Sequence, residues 1–186
     1  MKKLFALFLV CLMSLNILAQ EEHLKFMGIP LTGSITTFQS KLQAKGIKYD
    51  KTTSLQLGAG CRAFNGTFSG EKARIYVFYN DKTKNVYRAK AVITYLNKSI
   101  GENKFQEFRS MLKTKYSDQV ATDSEQNGHP SMSILVTDSK ITHTLGFVGL
   151  YMTNPMYEFM DEIYLHVDYE DVTNQVDNAR QNMDDL

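Results

Sequence analysis

Four histidines, His23, His129, His143 and His166, are the residues best suited to acid–base or metal chemistry in this chain. A metal site needs ligands at spacings that put them on one helix face or one hairpin. No pair stands at H-x-x-x-H spacing, and no Cys-x-x-Cys is present. His143 and His166 both fall in strand-like stretches and would need a sheet to bring them together. Isolated surface or core-edge histidines are the plainer reading, and the spacing favours it. Cys61 reads in two ways: a reactive or intermolecular thiol, or a small buried apolar residue in a strand. Arg62 is its only charged neighbour in sequence, and no catalytic motif surrounds it. Gly58-Ala59-Gly60 has the look of a phosphate loop but lacks the following lysine and helix, so it reads as a bend before a strand. No G-x-S-x-G elbow occurs.

Carboxylates cluster at Asp161-Glu162 and at Asp168, Glu170 and Asp171. Alternation along a strand puts Asp168 and Glu170 on one face. A calcium site would need EF-hand spacing, which is missing, so a solvated acidic surface is the simpler expectation. Met152, Met156 and Met160 recur every four residues among Tyr151, Tyr157 and Phe159. Thioethers can bind soft metals or form adaptable contact surfaces. Pro155 breaks any single helix that would present all three sulfurs, which leaves core packing as the leading reading. Asn65-Gly66-Thr67 and Asn97-Lys98-Ser99 match the glycosylation pattern and are read as chance. No catalytic, cofactor-binding or metal-binding residue is assigned, and no cofactor is implied.

The elements that position these residues begin after a leader. Lys2 and Lys3 precede an apolar run from Leu4 to Leu18, and Ala19 offers a small-residue cleavage point. This reads as a secretory signal peptide over residues 1–19 and predicts export to the periplasm or the cell exterior. The run is too short and too polar, at Ser14 and Asn16, for a membrane anchor. Cys11 sits inside it, where a lipoprotein cysteine would follow it. Cleavage shortens the 186 residues by 19, to 167, enough for one domain or two small packed halves. Losing Lys2 and Lys3 takes the formal net charge from +1 to −1. A near-neutral chain lacks the cationic surplus that drives nucleic-acid binding, so nucleic acid is excluded as a partner. No later stretch is long and apolar enough to span a bilayer. Cys61 is the one cysteine left after cleavage, so no internal disulfide is possible.

Leu24–Met27 is strand-like, and residues 28–33 form a glycine- and proline-punctuated turn. Ser34 is a good N-cap, and Ile35, Phe38 and Leu42 mark the apolar stripe of a helix over residues 35–45 that Gly46 stops. Strands are expected at Cys61–Phe68, Ala73–Tyr79 and Val86–Tyr95, linked by a Ser69-Gly70-Glu71 turn and a polar loop over residues 80–85. The order then repeats. A helix over Gly101–Tyr116 carries Phe105, Phe108 and Leu112. A polar loop over Ser117–Pro130 is followed by strands at Ser131–Thr137, Thr142–Tyr151 and Glu162–Tyr169. The tail over residues 172–186 is acidic and polar, with weak helical spacing.

A constant offset of 70 carries Ile35, Phe38 and Leu42 onto Phe105, Phe108 and Leu112. The same offset carries the Ser69 turn onto Ser139, and Ile75-Tyr76-Val77 onto Leu145-Gly146-Phe147. This predicts an α+β fold in which a helix on an antiparallel meander is duplicated, two α-β-β-β halves over residues 20–98 and 99–171.

The opener Phe26-Met27-Gly28-Ile29-Pro30-Leu31-Thr32-Gly33, running into the Phe38/Leu42 helix, resembles the start of secreted proteins of unknown function from Bacteroidetes-type bacteria. That resemblance implies export and bacterial origin and brings no active site. The tandem layout is similar to that of β-lactamase-inhibitor-protein-like domains, tandem α/β modules that bind protein partners through a sheet face. It implies an architecture and no interface residue. The expected function is a non-catalytic module for a protein or small-ligand partner, with tyrosines such as Tyr76, Tyr87 or Tyr164 on an exposed sheet face. The rivals are a small hydrolase that assembles Cys61 with His143 or His166, and a structural envelope subunit.

Overall fold

The computed structural model describes residues 22–138, 143–154 and 162–174. A short hairpin, β1 (Lys25–Phe26) with β2 (Ile29–Pro30), precedes α1 (Ile35–Ala44), β3 (Lys48–Asp50), α2 (Lys51–Leu57), β4 (Cys61–Phe68), β5 (Glu71–Tyr79) and β6 (Val86–Tyr95). Then come α3 (Lys98–Lys115), β7 (Val120–Gln126), β8 (His129–Thr137), β9 (Thr144–Thr153) and β10 (Ile163–Asp171). The last eight strands form one antiparallel sheet in the order β3-β4-β5-β6-β10-β9-β8-β7. The seam between the earlier and later strands is β6 on β10, from Ile163 opposite Tyr95 to Glu170 opposite Arg88. The chain is therefore of the α+β class, and no helix among the described residues is long and apolar enough to cross a membrane.

One face of the sheet is covered. Ile35, Phe38 and Leu42 of α1 and Phe105, Phe108 and Leu112 of α3 enter a single core with Phe64, Ile75, Val77, Ile93, Leu150, Leu165 and Val167. Phe26 from the hairpin stacks on Phe68, 5.4 Å between centroids, and meets Tyr169 edge-on. Both long helices start on side-chain caps: Ser34 Oγ accepts from the Thr37 N–H at 3.2 Å, and Asn97 Oδ1 accepts from the Ser99 N–H at 2.8 Å. Gly101 lets α3 approach β10 closely, since a Cβ there would run into Ile163 Cγ2.

Three expectations need correction. Each side of the seam carries four strands in the sheet rather than three, because β3 and β7 complete it at its two edges. Both lie where no hydrophobic alternation marks them, and β7 is exposed along its whole length. The Ser117–Pro130 stretch, expected as a loop, is mostly β7 turning through Asn127-Gly128 into β8, with Gln126 opposite His129. The constant offset of 70 holds for the helix stripes and fails in the sheet. It sets buried Val77 on Phe147, which is 44% exposed, and a one-residue slip exchanges the two faces of a strand. The Ser139 turn, Pro155, Met156, Met160, Asp161, the leader and residues 175–186 lie outside the described residues.

Candidate functional site

The other face of the sheet is open across its central strands, because α1 and α3 share the opposite side. Alternation along each strand places its side chains in cross-strand rows. One row runs Asn65, Arg74, Val92, His166, Tyr151, Ser131, Ser124. The next runs Tyr76, Lys90, Asp168, Gly149, Ser133, Thr122. A third runs Cys61, Phe78, Arg88, Glu170, Phe147, Leu135, Val120. Toward β3, α2 turns back over β4, where Ser54 Oγ accepts from the Ala63 N–H at 2.9 Å.

The seam strands carry the polar centre. Arg88 Nε donates to Asp168 Oδ1 at 2.9 Å while its Nη2 reaches Oδ2, a two-point pairing that fixes both planes. Glu170 Oε2 stands 4.0 Å from the same guanidinium, so Asp168 and Glu170 do share a face. The hydrogen bond to Asp168 holds the Arg88 pKa well above its usual value. Tyr151 O–H donates to Asp168 at 3.4 Å, its ring lying beside Gly149, and burial pushes its hydroxyl up to about 12. The His166 ring stacks on Tyr151 at 4.6 Å, and its Nε2 is 2.8 Å from Thr153 Oγ1. His166 Nδ1 is buried without a hydrogen-bond partner among the described residues. Burial, then the nearby Lys90 charge, lowers the His166 pKa to about 4, so the ring is neutral. Burial likewise lowers the Lys90 pKa, and its ammonium lies 5.8 Å from the Tyr76 ring centroid and 5.9 Å from that of Phe78.

Beside this centre a broad open trough of about 1200 Å³ runs from the β3 edge across β4, β5 and β6 to β10. Tyr76, Lys90, Val92, Tyr164 and His166 form its floor, with Lys48, Lys72, Arg74 and Glu162 around it.

The residues singled out in the sequence are scattered. Cys61 and His166 share the open face, yet β5 and β6 separate their strands by roughly 14 Å, with roughly 13 Å more along the strands. His143 is exposed at the β8–β9 turn, where its N–H donates to Asp138 Oδ1 at 3.3 Å. The structure therefore assembles neither Cys61 with a histidine nor His143 with His166. Burial pushes the Cys61 thiol up, away from a reactive thiolate. His129 is buried with Nε2 at 3.0 Å from Asn154, and His23 lies 3.2 Å from Asp171. Asp171, on the covered side of β10, is fully buried, accepts from the Leu24 N–H at 2.9 Å, and has its pKa raised by burial.

The expectation of a solvated acidic surface is corrected for Asp168 and Asp171, which sit on a central strand. Among the described residues no group of three or more His, Cys, Asp or Glu could hold a metal ion. Met152 packs in the core, and Gly58 and Gly60 form the bend between α2 and β4. Tyr76, Tyr87 and Tyr164 are all half-buried, Tyr76 and Tyr164 in the trough. Sequence reasoning passed over Arg88, Lys90 and Thr153 and placed Tyr151 only beside the methionines; their grouping follows from strand order alone. Comparison with known protein families, curated proteins and solved structures finds no match to this chain.

Proposed function

We propose that this chain is an exported, non-catalytic binding module that receives a protein or small-ligand partner on the open face of its sheet. The observation that carries this reading is the trough: tyrosines, cations that form no ion pair with a described carboxylate, and a neutral histidine converge there. Tyrosine and arginine side chains are among those that supply most of the energy at binding surfaces. The wide separation of Cys61 from both strand-region histidines counts against the hydrolase. The Lys2-Lys3 leader supports export. The recurrence of a helix and four antiparallel sheet strands on each side of the β6–β10 seam supports two related halves, residues 20–98 and 99–171.

The test is selection of binders from defined peptide and protein libraries on the immobilised chain, alongside turnover assays on a panel of ester and peptide substrates. Binders lost on Tyr76→Ala and Tyr164→Ala substitution are expected. Turnover abolished by Cys61→Ser would replace the module with an enzyme.

A further inference from the structure

Several cations of α3 are held in ion pairs: Lys104 lies 3.0 Å from Glu71 and 2.8 Å from Glu107, Arg109 2.7 Å from Asp123, and Lys113 2.8 Å from Asp123. The cations lining the trough are held in none. Lys48, Lys72, Arg74 and Lys90 make no ion pair with any described carboxylate, and Glu162 is the only acidic residue in the lining. Lys90 is half-buried over two aromatic rings, and the one carboxylate opposite it, Asp168, is hydrogen-bonded to Arg88 instead. From β3 to β6 the four cations span three strand spacings, roughly 14 Å, the reach of about four extended residues. Tyr76 and Val92 lie among them on β5 and β6, and Tyr164 lies beyond them on β10.

We propose that the trough docks an acidic, extended polypeptide segment of a partner protein, its carboxylates set against Lys48, Lys72, Arg74 and Lys90, its apolar side chains on Tyr76, Val92 and Tyr164. This rests on the binding-module reading and adds the partner's chemistry. Charge complementarity selects the acid, since like charges opposed across an interface are excluded. The apolar floor requires side chains between the carboxylates, which a uniform polyanion lacks.

Fluorescence polarisation tests this with a labelled peptide that alternates Glu with Leu and Tyr, a Lys-for-Glu counterpart, and heparin as the polysaccharide probe. The Glu peptide is expected to bind, to weaken as salt rises, and to lose about tenfold in affinity on each of Lys72→Glu and Arg74→Glu. Both positions are exposed, so these variants fold. Lys41→Glu, on α1 at the other face, should change nothing. Failure of the Glu peptide to bind, or heparin binding in its place, overturns the acidic-polypeptide proposal. Binding of the Lys peptide that Tyr164→Ala weakens overturns the charge assignment while leaving the open face as the docking surface. Glu-peptide binding that neither charge reversal nor Tyr164→Ala disturbs overturns the proposal and removes the trough from the binding-module reading as well.

Discussion

Arg88 and Asp168 depend on each other, since neither has a second partner that could replace the two-point contact. Asp168→Ala leaves a half-buried guanidinium beside Glu170 alone and is expected to cost about 2 kcal/mol in urea unfolding, most of it recovered by the apolar pair Arg88→Met/Asp168→Leu. His166 supplies a pH dependence. Its folded pKa of about 4 lies below the ordinary 6.5. As pH falls from about 6.5 to 4 the unfolded chain takes up a proton that the folded chain does not, so stability is lost through that window. The full extent is roughly 3 kcal/mol. His166→Phe should flatten this window in unfolding measured against pH. Cys61 is expected to alkylate slowly at pH 7, with a rate that still climbs at pH 9; a fast reaction at neutral pH would point back to a catalytic thiol.

Elements differ in how much sequence signal announces them. α1 was legible because Ile35, Phe38 and Leu42 bury one stripe behind a Ser34 cap. α2 was missed because only Ser54 is buried on it while Leu55 and Leu57 are exposed. Its signal was the Asp50 cap, whose carboxylate accepts from the Thr53 N–H at 2.9 Å. β7 was missed although Asn127-Gly128, both at positive φ, is a strong two-residue hairpin signal. An edge strand exposed on both faces need not alternate. β7 should accordingly lose amide-exchange protection well before β10. In α3, Gly101→Ala would normally stabilise a helix by about 1 kcal/mol. Here the added methyl meets Ile163 Cγ2, and we expect a net loss of about 1–3 kcal/mol that Ile163→Ala partly relieves, read by thermal unfolding.

For the molecule as a whole, the β6–β10 seam and the shared core make the two sides interdependent. Cutting there would expose Ala89, Ala91 and Ile93 on one side and Leu165 and Val167 on the other. The fragments 20–97 and 98–186 are each expected to stay unfolded alone, and the intact chain to unfold in one transition seen alike by circular dichroism and tyrosine fluorescence.

By itself the sequence determined the two long helices, most strands and the covered face, because apolar periodicity and caps are local properties of the chain. The near-neutral charge was also written there. The tertiary structure decided which strands are neighbours, and strand order is a long-range property that no local pattern encodes. Arg88 meets Asp168, and Lys90 lies near His166, only because β10 returns beside β6 across the span of α3 and three strands. The trough exists for the same reason.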